Sequence, residues 1–370
     1  MLRLPRSVPV ILIALAFAFT PGMAAVASTG IATITEHYAG HPLHVRPGVS
    51  ASPKGLSPST IRASYNFPTA STSGAGTTIA IVDAYNDPNA ESDLGVFSSQ
   101  FGLPACTTAN GCFSKVDQTG GTKYPRTDSG WALEISLDIQ WAHAIAPGAK
   151  ILLVEAKSNS FTDLLAAEDY AAAHAKYVSN SWGGSEFSGE STNDSHFTAS
   201  GVSFFASSGD AGTPASYPSA SPNVISVGGT TLSFDGSGAF SNETGWSGSG
   251  GGCSAYETAT PAQSGFSQYQ QVNCGTQRAT PDVSLDADPA SGVSVYDSVK
   301  YQGQSGWRTV GGTSASSPMW AARSADAGTV VDAGYVYGNS ITYRDITAGN
   351  NGMSCLVGYD LVTGRGSWTG

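Results

Sequence analysis

The chain has 370 residues, enough for a large core, and its 40% hydrophobic and 10% aromatic content excludes a disordered polymer. A formal charge of −11 and a pI near 4.8, with no cluster of Lys or Arg, exclude a nucleic-acid-binding surface. Only 12% of residues are charged while 45 are Gly, a composition suited to a secreted protein exposed to acid.

In chain order, Arg3 and Arg6 precede an apolar run over 8–19, and Ala25-Val26-Ala27 offers small residues before Ser28. This order predicts a secretory signal peptide over 1–27, its apolar run too short for a comfortable membrane span. No later stretch is apolar for long enough to cross a bilayer. Residues 28–55 contain Pro, Gly and three of the six histidines, His37, His41 and His44. They read as a short leader with scattered, solvated imidazoles. The ordered domain is expected over 56–370.

From there, short apolar runs alternate with helical patterns. Strands are expected over 78–83, 150–155, 177–181, 201–207 and 223–227, and helices over 89–101, 131–144 and 161–176. This alternation predicts one α/β domain with a doubly wound, mostly parallel central sheet and helices on both faces. Of the five cysteines, Cys106 with Cys112 and Cys253 with Cys274 each flank a local loop. In an oxidising compartment these are the economical pairs, leaving Cys355 odd. No Cys/His cluster suggests zinc.

Late in the chain, Gly311-Gly312-Thr313-Ser314-Ala315-Ser316-Ser317-Pro318 leads small hydroxyl residues into a helix beginning near Met319. A Ser at such a junction lies beside free N–H groups able to hold an oxyanion. Such a nucleophile needs a base. His143 and His174 lie among alanines and read as surface or satisfied helix residues. Glu134 and Asp138 are four apart, so they stack on one helix face, and Leu133, Ile135, Leu137 and Ile139 surround them. Two adjacent desolvated carboxyls share a proton and can act as base and then acid. Asp210, in Ser208-Gly209-Asp210-Ala211-Gly212, follows an apolar strand, where an open α/β sheet places its site. A neutral Asp there can donate to an oxyanion.

Four ordered motifs carry a family resemblance: Glu134-x-x-x-Asp138 with Ala146-Pro147-Gly148-Ala149; Ser179-Asn180-Ser181-Trp182-Gly183-Gly184; Ser208-Gly209-Asp210-Ala211-Gly212; and Gly311 to Pro318. From about Leu56 onward the chain resembles the sedolisin, or serine-carboxyl, peptidases, which have the subtilisin fold. The resemblance implies a serine-type endopeptidase with Ser314 as nucleophile, Glu134 as base, Asp138 as its partner and Asp210 as oxyanion donor. It implies that Ser181, Trp182 and Gly183 line a cleft where peptide or unfolded protein substrates add a strand. It also implies one structural Ca2+ site, with the Asp345 and Asp360 carboxylates and the carbonyls of Ile346, Leu356 and Gly358 as oxygen ligands. The expected molecule is a secreted, extracellular monomer with no membrane contact after signal cleavage. Family members carry a long pro-domain; the roughly thirty residues before Leu56 are too few for one. The alternative is a catalytically silent, peptidase-like peptide-binding protein.

Overall fold

The computed structural model describes residues 36–338 and 340–370. The signal peptide expected over 1–27 lies outside them. The sheet is built from strands whose successive side chains serve opposite faces, so an apolar run buried on both sides feeds two cores. In β1 (Thr78–Ala84), Ile79 and Ile81 enter one core while Ala80, Val82 and Ala84 enter the other. β2 (Phe113–Asp117), β3 (Lys150–Ala156), β4 (Tyr177–Asn180), β5 (Ser203–Ser207) and β6 (Ile225–Phe234) follow. β3 repeats the alternation, Ile151 and Leu153 against Leu152 and Val154.

Further on come β7 (Phe240–Gly245), β8 (Val283–Asp286), β9 (Val293–Tyr301), β10 (Gln304–Gly311), β11 (Tyr343–Arg344) and β12 (Ser367–Trp368). The main sheet has the order β11-β12-β8-β6-β5-β4-β1-β3-β2, with β7 on β6. All neighbours are parallel except β11 with β12 and β7 with β6. The expected fold class is therefore observed. The strand order reverses between β1 and β4, which opens a crevice beyond their C-terminal ends.

Helices α1 (Pro58–Tyr65), α2 (Ala90–Phe101), α3 (Ser129–Ile145) and α5 (Thr313–Ala327) cover one face, and α4 (Phe161–His174) the other. α3 starts where the Asp128 carboxylate accepts the N–H groups of Gly130 and Trp131, at 3.0 and 3.2 Å. Every residue from Trp131 to Ile145 is buried, because the sheet, α5 and the β9–β10 hairpin surround the helix. The hairpin fixes it by side-chain bonds from Gln140 to the Tyr296 carbonyl and from Trp141 to the Ser294 carbonyl.

Two boundaries differ from expectation. β6 runs seven residues past 227, since its later part pairs with β7 and β8. α5 begins at Thr313, six residues before Met319, and carries Pro318 inside it. The leader does not stand apart either: residues 36–55 lie in one compact unit with the rest of the described chain. Both expected disulfides form, Cys106–Cys112 and Cys253–Cys274, and Cys355 is buried and free.

Candidate active site

The crevice is assembled from four chain segments. β5 ends at Ser207, and Gly209, at φ 102°, turns the chain so that Asp210 points at the start of α5. There Asp210 Oδ1 accepts the Thr313 N–H at 2.8 Å and the Thr313 hydroxyl at 2.9 Å. Oδ2 has no hydrogen bond among the described residues. Burial drives the Asp210 carboxyl up to about 7; the Thr313 bonds oppose this, the Glu134 charge adds to it and His41 subtracts. Asp210 thus binds its proton well above the ordinary carboxyl range.

Glu134 and Asp138 come from adjacent turns of α3, and both are fully buried. Neither carboxylate makes a well-formed hydrogen bond to another described group. Burial and then the Glu134 charge push Asp138 well above the usual carboxylate range, while the nearby Ser181 hydroxyl pulls it down. A third acid joins them, one that motif reasoning missed. Asp83, near the end of β1, is fully buried with both oxygens unpartnered, and is raised by burial, then by Asp138, Glu134 and Glu155. An Asp closing an apolar strand in an α/β sequence is the signal that points to it.

Ser314 sits in the first turn of α5, its hydroxyl buried and without a hydrogen bond among the described residues. Its own N–H belongs to the helix start, where no intrahelical acceptor exists. Pro318 has no N–H to bond the carbonyl four residues back. That carbonyl is Ser314's, and the Ser181 hydroxyl donates to it instead, at 3.4 Å. Ser181 therefore connects the Ser314 turn to Asp138. Of the four residues expected to act together, Asp210 reaches the start of α5 one residue before Ser314, and the Glu134 charge acts on both Asp138 and Asp210. His143, His174 and His196 have partners elsewhere: the carbonyls of Pro104 and Tyr170 and the carboxylate of Asp169.

Of the three residues expected to line the cleft, Gly183 has both of its backbone groups bonded to the leader. Gly40 N–H donates to the Gly183 carbonyl at 2.8 Å, and Gly183 N–H to the Gly40 carbonyl at 3.0 Å. Ser181 turns inward as described. The Trp182 indole is buried in the second core against Phe161. Beside the leader, a cavity of about 400 Å³ opens next to Asp210, walled by Ser207, Thr213, Pro214, Ala215 and Ser216.

The reading of the leader histidines as scattered and solvated is corrected for His41, which is largely covered, while His44 stays exposed and still faces an acid. His41 Nδ1 lies 3.5 Å from Glu134 Oε2, and His44 Nε2 lies 3.3 Å from Asp210 Oδ2. Burial alone would lower His41, but the Glu134 carboxylate, with Asp128 and Asp210 beyond it, outweighs that and raises it. The error has a physical source: pairing with Gly183 and Gly311, far along the chain, places these imidazoles.

The two segments expected to hold a cation also meet. Both oxygens of Asp345 accept the Gly358 N–H at 3.0 Å. Asp360 accepts the N–H groups of Leu356, Val362 and Thr363, and burial still raises it to about 6 against those bonds. Among the described residues the carbonyls of Ile346, Leu356 and Gly358 accept no hydrogen bond, whereas those of Val357 and Tyr359 are taken by Gln271. Two carboxylates with three unclaimed carbonyls are a donor set that fits a hard cation.

Residues 125–331 match the Subtilase family. Kumamolisin of Bacillus sp. (strain MN-32) is 30% identical over 360 residues, covering 86% of this chain and 63% of its own. Sedolisin of Pseudomonas sp. (strain 101) is 28% identical over 372 residues, covering 85% and 60% respectively. The chain thus spans about three fifths of the length of these curated relatives. The solved structure of Pseudomonas sedolisin, a serine-carboxyl proteinase complexed with two molecules of pseudo-iodotyrostatin, superimposes with a TM-score of 0.71 at 29% identity. That similarity covers 86% of this chain and 96% of the other.

Proposed function

The chain belongs to the subtilase family, in its sedolisin–kumamolisin branch, and from that membership we propose that it is a secreted, acid-acting serine-carboxyl endopeptidase. What supports this reading most is the buried Glu134–Asp138 pair, whose Glu134 charge reaches Asp210, together with the bond that holds Asp210 to Thr313, the residue before the buried, unbonded Ser314 hydroxyl.

Ser314 Oγ attacks the carbonyl carbon of a peptide bond, and its proton passes to Glu134. Asp138, one turn along α3, shares the charge and proton of Glu134. The oxyanion is held by the proton on Asp210 Oδ2 and by the Ser314 N–H at the helix start. Glu134 then returns the proton to the leaving amine, the carbon–nitrogen bond breaks, and the acyl group remains on Ser314. Water, deprotonated by the same carboxylate, releases the acid product and restores the serine. Peptides or unfolded proteins enter as an added strand along Gly183. The chemistry needs Asp210 neutral and Glu134 ionised, which places activity in acid.

A calcium ion there would brace the C-terminal loops. Asp345, Asp360 and the carbonyls of Ile346, Leu356 and Gly358 would hold it.

The test is cleavage of a denatured protein at about pH 3–5, the range set by ordinary carboxyl values. The unaltered chain cleaves, and Ser314→Ala abolishes cleavage without loss of fold. Full activity in Glu134→Gln refutes the assigned base. A folded protein inert throughout the acid range overturns the proposal.

A further inference from the structure

No stretch of the sequence has a metal-binding spacing, yet the fold assembles one. Cys106 and Cys112 flank the loop ahead of β2, and His143 stands in the last turn of α3. In the folded chain both sulfurs and one ring nitrogen of His143 lie within 4.8 Å of one another. The imidazole is fully buried, and its Nε2 lies 2.9 Å from the Pro104 carbonyl. A carbonyl only accepts, so Nε2 carries the hydrogen. In the neutral ring Nδ1 then keeps its lone pair, and among the described residues nothing donates to it. A buried acceptor without a partner calls for an explanation. Cys106 is buried as deeply, whereas half-buried Cys112 opens onto a cavity of about 260 Å³ lined by Asn110, Pro147 and Lys150.

We propose that, before the Cys106–Cys112 bond closes, the two thiolates and His143 hold a zinc-class divalent ion, with water on the cavity side, and that closing the bond expels it. Two sulfurs, one imidazole and one open position make a tetrahedral zinc set. Ligand atoms about 2.0–2.3 Å from such an ion stand about 3.6–3.8 Å apart, so the grouping needs only side-chain adjustment. The Pro104 carbonyl is the kind of partner that orients a ligating histidine from its far side. Two thiolates cancel the charge of the ion, so no net charge is buried. Every chain begins with its cysteines as thiols, and each gives its proton to water as the ion binds. A disulfide-class oxidant then takes two electrons from the thiolates and two protons from water, and leaves as two thiols. The sulfurs join and the ion departs. While bound, the ion ties the loop to α3, a link that the disulfide, closing the loop on itself, does not make. Cys253 and Cys274 have no imidazole grouped with them in this way among the described residues.

The experiment uses the full chain, reduced with a phosphine in the absence of air and titrated with Co2+. The phosphine breaks each S–S bond, takes oxygen from water and leaves the hydrogens of that water on the sulfurs. Thiolate-to-cobalt charge-transfer absorption then reports the ligands. One equivalent of Co2+ binds, Zn2+ displaces it, and a Cys253→Ser/Cys274→Ser variant binds alike. Cys106→Ser/Cys112→Ser gives no charge-transfer band. Losing a group behind a ligand costs about 10–100-fold in metal affinity. His143→Gln keeps a donor for Pro104 but removes a ligand itself, so it weakens binding by more than about 100-fold. Adding an oxidised dithiol to the zinc-loaded protein releases the ion to a colorimetric zinc indicator. No band at all, a band that survives Cys106→Ser/Cys112→Ser, or an affinity indifferent to His143→Gln overturns the site. A reduced chain that unfolds binds through its thiols alone, shows that same indifference and counts against the proposal.

Discussion

One oxygen of Asp210 serves Thr313 twice, accepting its N–H and its hydroxyl, and the other is left with no hydrogen bond among the described residues. The proposed mechanism gives the two oxygens different roles, Oδ1 orienting the carboxyl and Oδ2 carrying the proton. Asp210→Ala removes both and should lower kcat by about 10²–10³, or about 2.7–4 kcal/mol. Asp210→Asn keeps an acceptor for Thr313 and an N–H donor in place of Oδ2, and should retain more activity than the Ala variant. Asn and Ala variants equally impaired would count against the donor role.

The same carboxyl sets the alkaline limit. With Asp210 raised to about 7, the donor is present below that pH and lost as pH rises through it. The kcat profile of the unaltered protein should fall about tenfold per unit above that point. In Asp210→Asn this limb should flatten, because the amide does not titrate. An unchanged limb would assign it to another group.

Asp83 separates a structural acid from a catalytic one. Burial, then three neighbouring carboxyls, push its pKa well up, so Asn is nearly isosteric with the neutral form they favour. Asp83→Asn should keep kcat at acid pH within about tenfold, less than the 10²–10⁴ a general acid or base supplies. It should also narrow the gap in melting temperature between acid and alkaline pH. A loss as large as that of Glu134→Gln would make Asp83 part of the proton path.

Buried carboxyls give the whole molecule a stability that declines with rising pH. Asp87, Glu155, Asp210 and Asp297 are raised to about 7, and Glu168 and Glu190 to about 8, in each case chiefly by burial. Each binds its proton more tightly folded than unfolded. Stability from these groups is therefore complete below the ordinary carboxyl range near pH 4 and falls as pH climbs towards 7–8. Asp117, held at about 2 by the Thr119 hydroxyl and neighbouring backbone N–H groups, works oppositely but only below about pH 4. Thermal melts should show a Tm roughly 5–10 °C lower at pH 8 than at pH 5. A Tm that rises over this interval would contradict the burial account.

The proposed calcium site in the C-terminal loops predicts a chelator effect. Removing an ion present at about a hundred times its Kd costs about 2.7 kcal/mol. Tm should drop on chelation and recover with added Ca2+, and Asp345→Ala and Asp360→Ala should each erase the difference. Melts indifferent to chelator would dismiss the site.

Much of this was legible from residues alone. Apolar runs such as that over 78–83 specify strands buried on both faces because side chains alternate, and each interleaved helix supplies the cover. Four-residue spacing alone puts Glu134 and Asp138 on one helix face. The local cysteine pairs close short loops wherever those loops fold. Burial is different, because it depends on what arrives from elsewhere. Glu134 and Asp138 lose all contact with water because α5 and the β9–β10 hairpin, well over a hundred residues downstream, close over α3. Asp83 meets them only through the sheet order. Nothing local distinguishes His41 and His44 from solvated leader histidines. Antiparallel pairing with Gly183 and Gly311 brings them to the carboxylates, and such long-range register is a property of the assembled sheet edges, not of any segment.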